Sequence, residues 1–510
     1  MIPASIVSKF REIAAEQGQK IAITTKLRSI SYTTLDESSE RLARYVLLLM
    51  GIVKEPVALM YRHSESPIIA QLAALKAAKS YCHIDDRLRP DQQQFIVSDL
   101  SARYLFCDSA SEEAARGLAQ AYPTLTVVNT DMLELMNCAA APVAPPVDLD
   151  DAAQIVYTSG TTGVPTGVVL PHRYILSLAR SHYFDFALQP SDGFSNLCPL
   201  WAASSSSEIY GALLNGCSLH PFSVNDEGIA AFHRRINNER ISVITAAPAL
   251  FRALFPEGVD VKLFDSVRLV KLGGDRVTRT EFDIFCRCFR EPCRLRVAYG
   301  SSEFMQVTQN IVGKSYAFSG NILPIGYAMD DCEVLIVDHE RNEVSMEIQG
   351  EIAVRSRSLS LGYWRQPQLT NERFVYDHLV VGMRTYYTRD IGYRDTSGCF
   401  HYVGRTDSRV KVYGKMVWLT QVENSIADIP GVKAAIVTTI DNQLRGAEIA
   451  ACVISDDADI TGPAVRVALM KVLAMEAIPT QFYFTNDMPL LPNSKLDRSE
   501  VRRRLLAKFG

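Results

Sequence analysis

IVYTSGTTGVPTGVVL (residues 155–170) is the stretch from which the fold is read. An apolar run of strand length enters a loop of hydroxyls and glycines, and a second apolar run follows. Gly160, Gly163 and Gly167 permit positive φ, which lets backbone N–H groups turn toward one anion. The hydroxyls of Thr158, Ser159, Thr161 and Thr162 add donors for phosphate oxygens. The segment is not the common P-loop, which needs GxxxxGK(S/T) opening a helix. A Ser/Thr/Gly-rich turn without a ligand is the plainer alternative for this segment by itself.

On either side, apolar runs of strand length alternate with longer helical patterns. VALMY (57–61), RYLFCD (103–108), LTVVNT (125–130), ISVITAA (241–247) and SVRLVKLGG (266–274) read as strands, and IIAQLAALKAAKS (68–80) as a helix. This alternation predicts α/β architecture with largely parallel sheets. CAAAPVAPPVDLDD (138–151) reads as a surface connection. From about residue 320 the texture becomes β-rich, with CEVLIVD (332–338), GEIAVRS (350–356) and CFHYVGR (399–405). A small α+β unit then begins: a hairpin-like VKVYGKMVWL (410–419), a helix from Thr420, strands at AAIVTTI (434–440) and AEIAACVIS (447–455), and a helix from Gly462. The expected division is a large N-terminal domain, 1–405, and a mobile C-terminal domain, 406–510.

With 510 residues, the chain is too long for one core. Its net charge of -4 gives no electrostatic argument for nucleic acid or an anionic membrane. The arginine-rich end, Arg498 to Lys508, reads as the solvated face of a last helix. Eleven scattered cysteines include one cluster, Cys286, Cys288 and Cys293, without a second pair at zinc-site spacing. Free buried thiols in a reducing cytosol are expected. Lys9, Arg11 and Glu12 interrupt the N-terminal segment, so it does not read as a signal peptide. No apolar run reaches bilayer-spanning length, and a cytoplasmic protein is expected.

The glycine–hydroxyl loop resembles the signature loop of the AMP-forming adenylating superfamily, which groups acyl-CoA synthetases, peptide-synthetase adenylation domains and beetle luciferases. Further segments resemble that family's motifs in order. LKAAKSYCHID (75–85) is similar to LKAGxAYxPxD, KLGGD (271–275) to a GGE-like turn, and AYGSSE (298–303) to YGxTE. YYTRD (386–390) resembles YxTGD, GRTDSRVKVYG (404–414) resembles GRxDxxVKxxG, and LPNSKLDR (491–498) resembles NGKxDR. The likeness spans nearly the whole chain.

The resemblance implies roles for matched positions. Gly160, Gly163 and the loop hydroxyls, with Gly274 and Gly300, would bind ATP. Tyr299 would lie against adenine, supplying stacking area. Ser302 and Glu303 would stand near the α-phosphate, Glu303 holding Mg2+ through oxygen coordination. Asp390 would accept both ribose hydroxyls, with Tyr402 and Arg405 as further ribose and phosphate contacts. Lys495 would bridge the substrate carboxylate and the α-phosphate as charge builds. Asp407 would be the hinge on which the small domain swings between adenylation and thiol transfer.

The sequence departs from the pattern at several points. Thr166 and Val164 stand where loop lysines are usual, Val297 where many relatives have an asparagine, and Arg389 where the family has a glycine. WAASSSSEIYGALLNG (201–216) resembles the FDxSxxEIxxALLxG segment of amino-acid-activating relatives, with Ala203 in place of the aspartate that pairs an α-ammonium. An α-amine would be buried there without its partner, which disfavours an ordinary α-amino acid. The same alignment implies an acid pocket of Ala203, Ser204, Ser207, Thr245, Val270, Leu272, Ala298, Gln306 and Val307. A flexible serine loop is the plainer reading of 204–207.

The expectation is therefore an ATP- and Mg2+-dependent ligase that forms an acyl-AMP and passes the acyl group to a phosphopantetheine thiol. The chain stops soon after Lys495, so the thiol is expected in trans, on a carrier protein or coenzyme A. EIYGALLNG and LGYWRQPQLT look more like assembly-line adenylation modules, which favours a carrier protein and a natural-product role. An acyl-CoA ligase, a luciferase-like oxygenase and a degenerate nucleotide-binding relative remain the alternatives.

Overall fold

The computed structural model describes residues 5–133, 141–159, 165–377, 380–413, 415–442, 446–455, 457, 459–486, 489 and 497–509. The fold is α/β, with a large N-terminal part built on three sheets. In the nine-stranded sheet, Ile21–Thr24, Ser218–Pro221, Gly193–Asn196, Val243–Ala246, Leu269–Gly273 and Arg294–Ser301 run parallel. Antiparallel strands flank them, Ser29–Ser31 at one edge and Met305–Val312 followed by Tyr327–Ala328 at the other. A seven-stranded sheet has a parallel centre of Ala152–Ser159, Tyr81–His83, Val57–Met60, Tyr104–Cys107 and Thr126–Asn129. The strand Pro165–Pro171 returns antiparallel beside Ala152–Ser159, so the glycine–hydroxyl loop joins two neighbours of one sheet.

One hydrophobic cluster draws on both sheets and on the helices Tyr32–Met50, Ser66–Lys76, His172–Phe186 and Ala203–Leu213. Aromatics such as Phe251, Phe255, Phe285 and Phe289 form a second cluster with the strand Leu269–Gly273. Fully apolar strands such as Val57–Met60 need covering on both faces, and the helices supply it. The β-rich texture after residue 320 becomes a five-stranded antiparallel sheet of Glu333–Val337, Gly350–Ser356, Arg384–Arg394, Phe374–Tyr376 and Phe400–Arg405.

After Arg405 a hairpin, Arg409–Val412 with Lys415–Trp418, leads to the helix Leu419–Ala427 and a three-stranded sheet. Its apolar residues gather in two clusters drawn only from residue 410 onward. The last helix, Arg498–Phe509, buries Val501 and Leu505 and exposes Arg502 and Arg503, as its pattern requires. This part meets the rest through Arg276, which pairs with Glu423 at 3.1 Å and also bonds Asn424. Asn321 Nδ2 adds a bond to the Ala427 carbonyl at 3.1 Å.

Among the described residues no helix is long and apolar enough to cross a membrane. Cys288 and Cys293 are free thiols buried in the aromatic cluster, and Cys286 is free and half-buried beside them.

Candidate active site

A cavity of about 620 Å³ opens beside the C-terminal ends of the parallel strands, where α/β sheets bind ligands. Thr158 and Pro165 line it from either side of the glycine–hydroxyl loop. Gly274, Ala298, Gly300 and Ser302 line it from the nine-stranded sheet. Ala203, Ser204, Ser207, Thr245 and Gln306 line it too, so nucleotide and acid motifs share one space. Gly300 is required by close approach: a Cβ there would collide with the Met305 carbonyl across the bulge. Gly160, Thr161, Thr162, Gly163, Val164 and Lys495, and the side chains of Ser159 and Asp407, lie outside the described residues.

Three expected pocket residues face elsewhere. Val270 and Leu272 are buried in the aromatic cluster, while Lys271 and Gly273, between and after them, line the cavity. The cause is the period of two in a strand: a frame slipped by one residue presents the opposite face. Likewise Gln306 lines the cavity and Val307 packs with Phe304 and Ile325. The signal for Lys271 was present in SVRLVKLGG, since a lysine within a buried parallel strand needs a polar space to face.

Beside the cavity, Tyr299 donates its hydroxyl to Asp390 Oδ2 at 2.7 Å, and Arg405 donates to Oδ1 at 3.3 Å. The Asp390 N–H donates to Thr388 Oγ1 at 2.9 Å, which fixes the turn. Burial and the Asp390 charge push the Tyr299 and Tyr402 phenols up, keeping both protonated donors. The Tyr402 ring lies 6.4 Å from that of Tyr299.

Glu303 accepts from Ser301 Oγ at 2.7 Å and from Tyr363 at 3.2 Å. Tyr363 is bonded in turn to Tyr386 at 3.1 Å. These neighbours, which lie within quoted motifs but are given no role by the sequence, aim a hard oxygen ligand of the kind Mg2+ takes.

Lys271 Nζ donates to Ser207 Oγ at 3.0 Å and lies 3.4 Å from His182 Nε2. Burial, then the Arg296 guanidinium on the adjacent strand, push the Lys271 amine down to about 7. Burial pushes the nearby Glu208 carboxyl up to about 7, although Asn196 Nδ2 bonds it at 2.6 Å. Arg87, Arg89 and Lys271 line the cavity, and no Asp or Glu does so among the described residues. A polyanionic ligand suits that wall.

The model of the AMP-binding enzyme family matches residues 10–364, and the chain belongs to that family. Its relatives are peptide-synthetase adenylation domains and acyl-CoA ligases. Enzymes of the family use ATP and Mg2+. Tyrocidine synthase 1 of Brevibacillus parabrevis is 27% identical over 499 residues, covering 98% of this chain and 45% of that protein. The chain thus spans less than half the length of this curated relative. The solved structure of Klebsiella oxytoca NpsA in complex with 3-hydroxyanthranilyl-AMSN superposes with a TM-score of 0.86 at 22% identity, covering 99% of each chain. The anthranilate CoA ligase AuaEII in complex with anthranoyl-AMP gives 0.85 at 18%, covering 100% of this chain and 98% of that one. Both share the fold.

Proposed function

We propose that the protein joins a small carboxylic acid to ATP as an acyl-adenylate, releases pyrophosphate, and passes the acyl group to the phosphopantetheine thiol of a carrier protein in trans. The observation that carries this reading is the single cavity lined both by Gly274, Gly300 and Ser302 and by Ala203, Ser204 and Ser207. Nucleotide and acid must meet in one space for an oxygen of the acid to attack the α-phosphorus.

In this reading Asp390, oriented by Tyr299 and Arg405, accepts the ribose hydroxyls, and Tyr402 borders the same site. Thr158 and the glycine–hydroxyl loop donate to the phosphates. Glu303 holds Mg2+, which neutralises phosphate charge when bound. Lys495 offsets the charge that grows as acid and phosphate approach. Residues 1–405 form the core domain and 406–510 swing on Asp407, withdrawing Lys495 before the thiol enters. Ala203 gives an α-ammonium no carboxylate, so the acid lacks an α-amine. The acceptor reading leans on the likeness to a peptide synthase. Coenzyme A presents the same arm and is the competing acceptor, in a cytoplasmic setting either way.

The test is ATP–pyrophosphate exchange across small acids, β-amino acids, aryl acids and short fatty acids, with Lys495→Ala as control. Exchange with one acid class, lowered about a hundredfold or more in the variant, supports the reading. Silence with every acid, despite ATP binding, returns the chain to a nucleotide-binding relative. Thioester formation on a loaded carrier protein, against coenzyme A, then decides the acceptor.

A further inference from the structure

We infer that the acid taken by this site carries a second carboxylate, met inside the cavity by Lys271, so that the substrate is a small dicarboxylic acid. The inference rests on the adenylating reading above and narrows it. Lys271 sits at the middle of the strand Leu269–Gly273, in register with Thr245 on one neighbour and Arg296 on the other. It is only 8% exposed, yet its side chain lines the cavity. It bonds the Ser207 hydroxyl and the His182 ring, the Glu208 carboxyl acts on its charge from farther off, and among the described residues no carboxylate lies within ion-pair distance of it. A buried ammonium with no carboxylate in contact is costly, and a carboxylate in the cavity lowers that cost.

The position separates this group from the carboxylate that reacts. Gly273 pairs with Ala298, the first residue of the segment that runs on to Ser302 and Glu303. Lys271 lies two residues back along the strand, about 7 Å from that end. A carboxylate at Lys271 is therefore the distal one. Gln306 gives a second polar point on the same cavity: it is 7% exposed, and both Oε1 and Nε2 lack partners. An amine on the acid would meet cationic groups, because the described lining includes Arg87, Arg89 and Lys271 and no carboxylate.

The experiment compares pyrophosphate release by the wild-type protein with malonate, succinate, glutarate and isophthalate. Each diacid is run beside its monomethyl ester and the monocarboxylic acid of the same length. At least one diacid should exceed its half-ester in kcat/KM by about tenfold to a hundredfold, the range for hydrogen bonds to charged groups. Lys271→Met should bring that ratio to about one. If this variant does not fold, judged by its melting transition, the wild-type ratio alone decides. Equal or better use of half-esters or monoacids overturns the inference and leaves adenylation standing. An unchanged ratio in folded Lys271→Met overturns it as well. No release with any acid removes the adenylating reading and the inference with it.

Discussion

The Tyr299 hydroxyl donates to Asp390 Oδ2 at 2.7 Å and thereby ties the nine-stranded sheet to the five-stranded one. Arg405 holds the other oxygen, so the carboxylate plane is fixed before any ligand arrives. Asp390→Asn removes the charge and should raise the KM for ATP about tenfold to a hundredfold. Tyr299→Phe frees the carboxylate to rotate and should act in the same direction, less strongly. Initial rates of pyrophosphate release, with ATP varied at saturating acid, measure both. A change confined to the KM for the acid would remove Asp390 from the nucleotide site.

Glu423 is 1% exposed and takes the two terminal nitrogens of Arg498, at 2.5 and 2.8 Å, while Arg276 reaches it from the N-terminal part of the chain. Burial opposes its ionisation, but Arg498 and Arg276 outweigh burial and hold the carboxyl below its usual range. Glu423→Gln leaves two arginines without their anion and should cost about 3 kcal/mol or more. A group with a depressed folded pKa stabilises above its unfolded pKa, about 4.3, and loses that contribution as pH falls. Wild-type stability should therefore drop below pH 4–5 more steeply than that of the variant, in denaturant titrations followed by circular dichroism.

Burial and the Arg296 guanidinium push the Lys271 amine down to about 7. The groups facing it are Arg296 from its neighbouring strand, His182 from one helix, and Ser207 and Glu208 from another. An anion binds the protonated amine, so the KM for a diacid should rise with pH above 7, approaching about tenfold per unit. The lowered pKa makes the protonated amine costly below its folded value, and stability should rise from pH 7 toward 10. Lys271→Met should flatten both profiles between pH 6 and 9.

Arg389 has φ +63, the left-handed region in which the family's glycine is at ease. Its N–H donates to Glu351 Oε1 at 2.7 Å, and its side chain reaches Glu372 at 3.6 Å. The conformation costs an ordinary residue about 1–2 kcal/mol, and glycine returns part of that gain through unfolded-chain entropy. Arg389→Gly should thus be neutral or stabilise by up to about 1 kcal/mol. A loss above 1 kcal/mol in the denaturant midpoint would give the exposed ion pair an unusual weight.

The glycine–hydroxyl loop, the AYGSSE segment and the strand–helix alternation were legible because each is local: a few adjacent residue types fix a turn or a period. The face of SVRLVKLGG was not, because one residue of register exchanges Val270 and Leu272 for Lys271 and Gly273. Gln306 lines the cavity as expected, and Val307, one residue on, faces the other side of its strand. The reason the family's pattern has a glycine where this chain has Arg389 is a dihedral angle, which appears only in the folded backbone. Arg276, Glu423 and Arg498 stand far apart in sequence, and pairing at that range leaves no local pattern.

The most direct measurement is isotopic: turnover of a carboxyl-18O acid with ATP, Mg2+ and a thiol acceptor, with mass analysis of the released nucleotide. AMP carrying one 18O from the acid is expected, because the acyl-adenylate joins that oxygen to phosphorus and thioester formation leaves it there. Unlabelled AMP, or ADP with labelled phosphate, would contradict it.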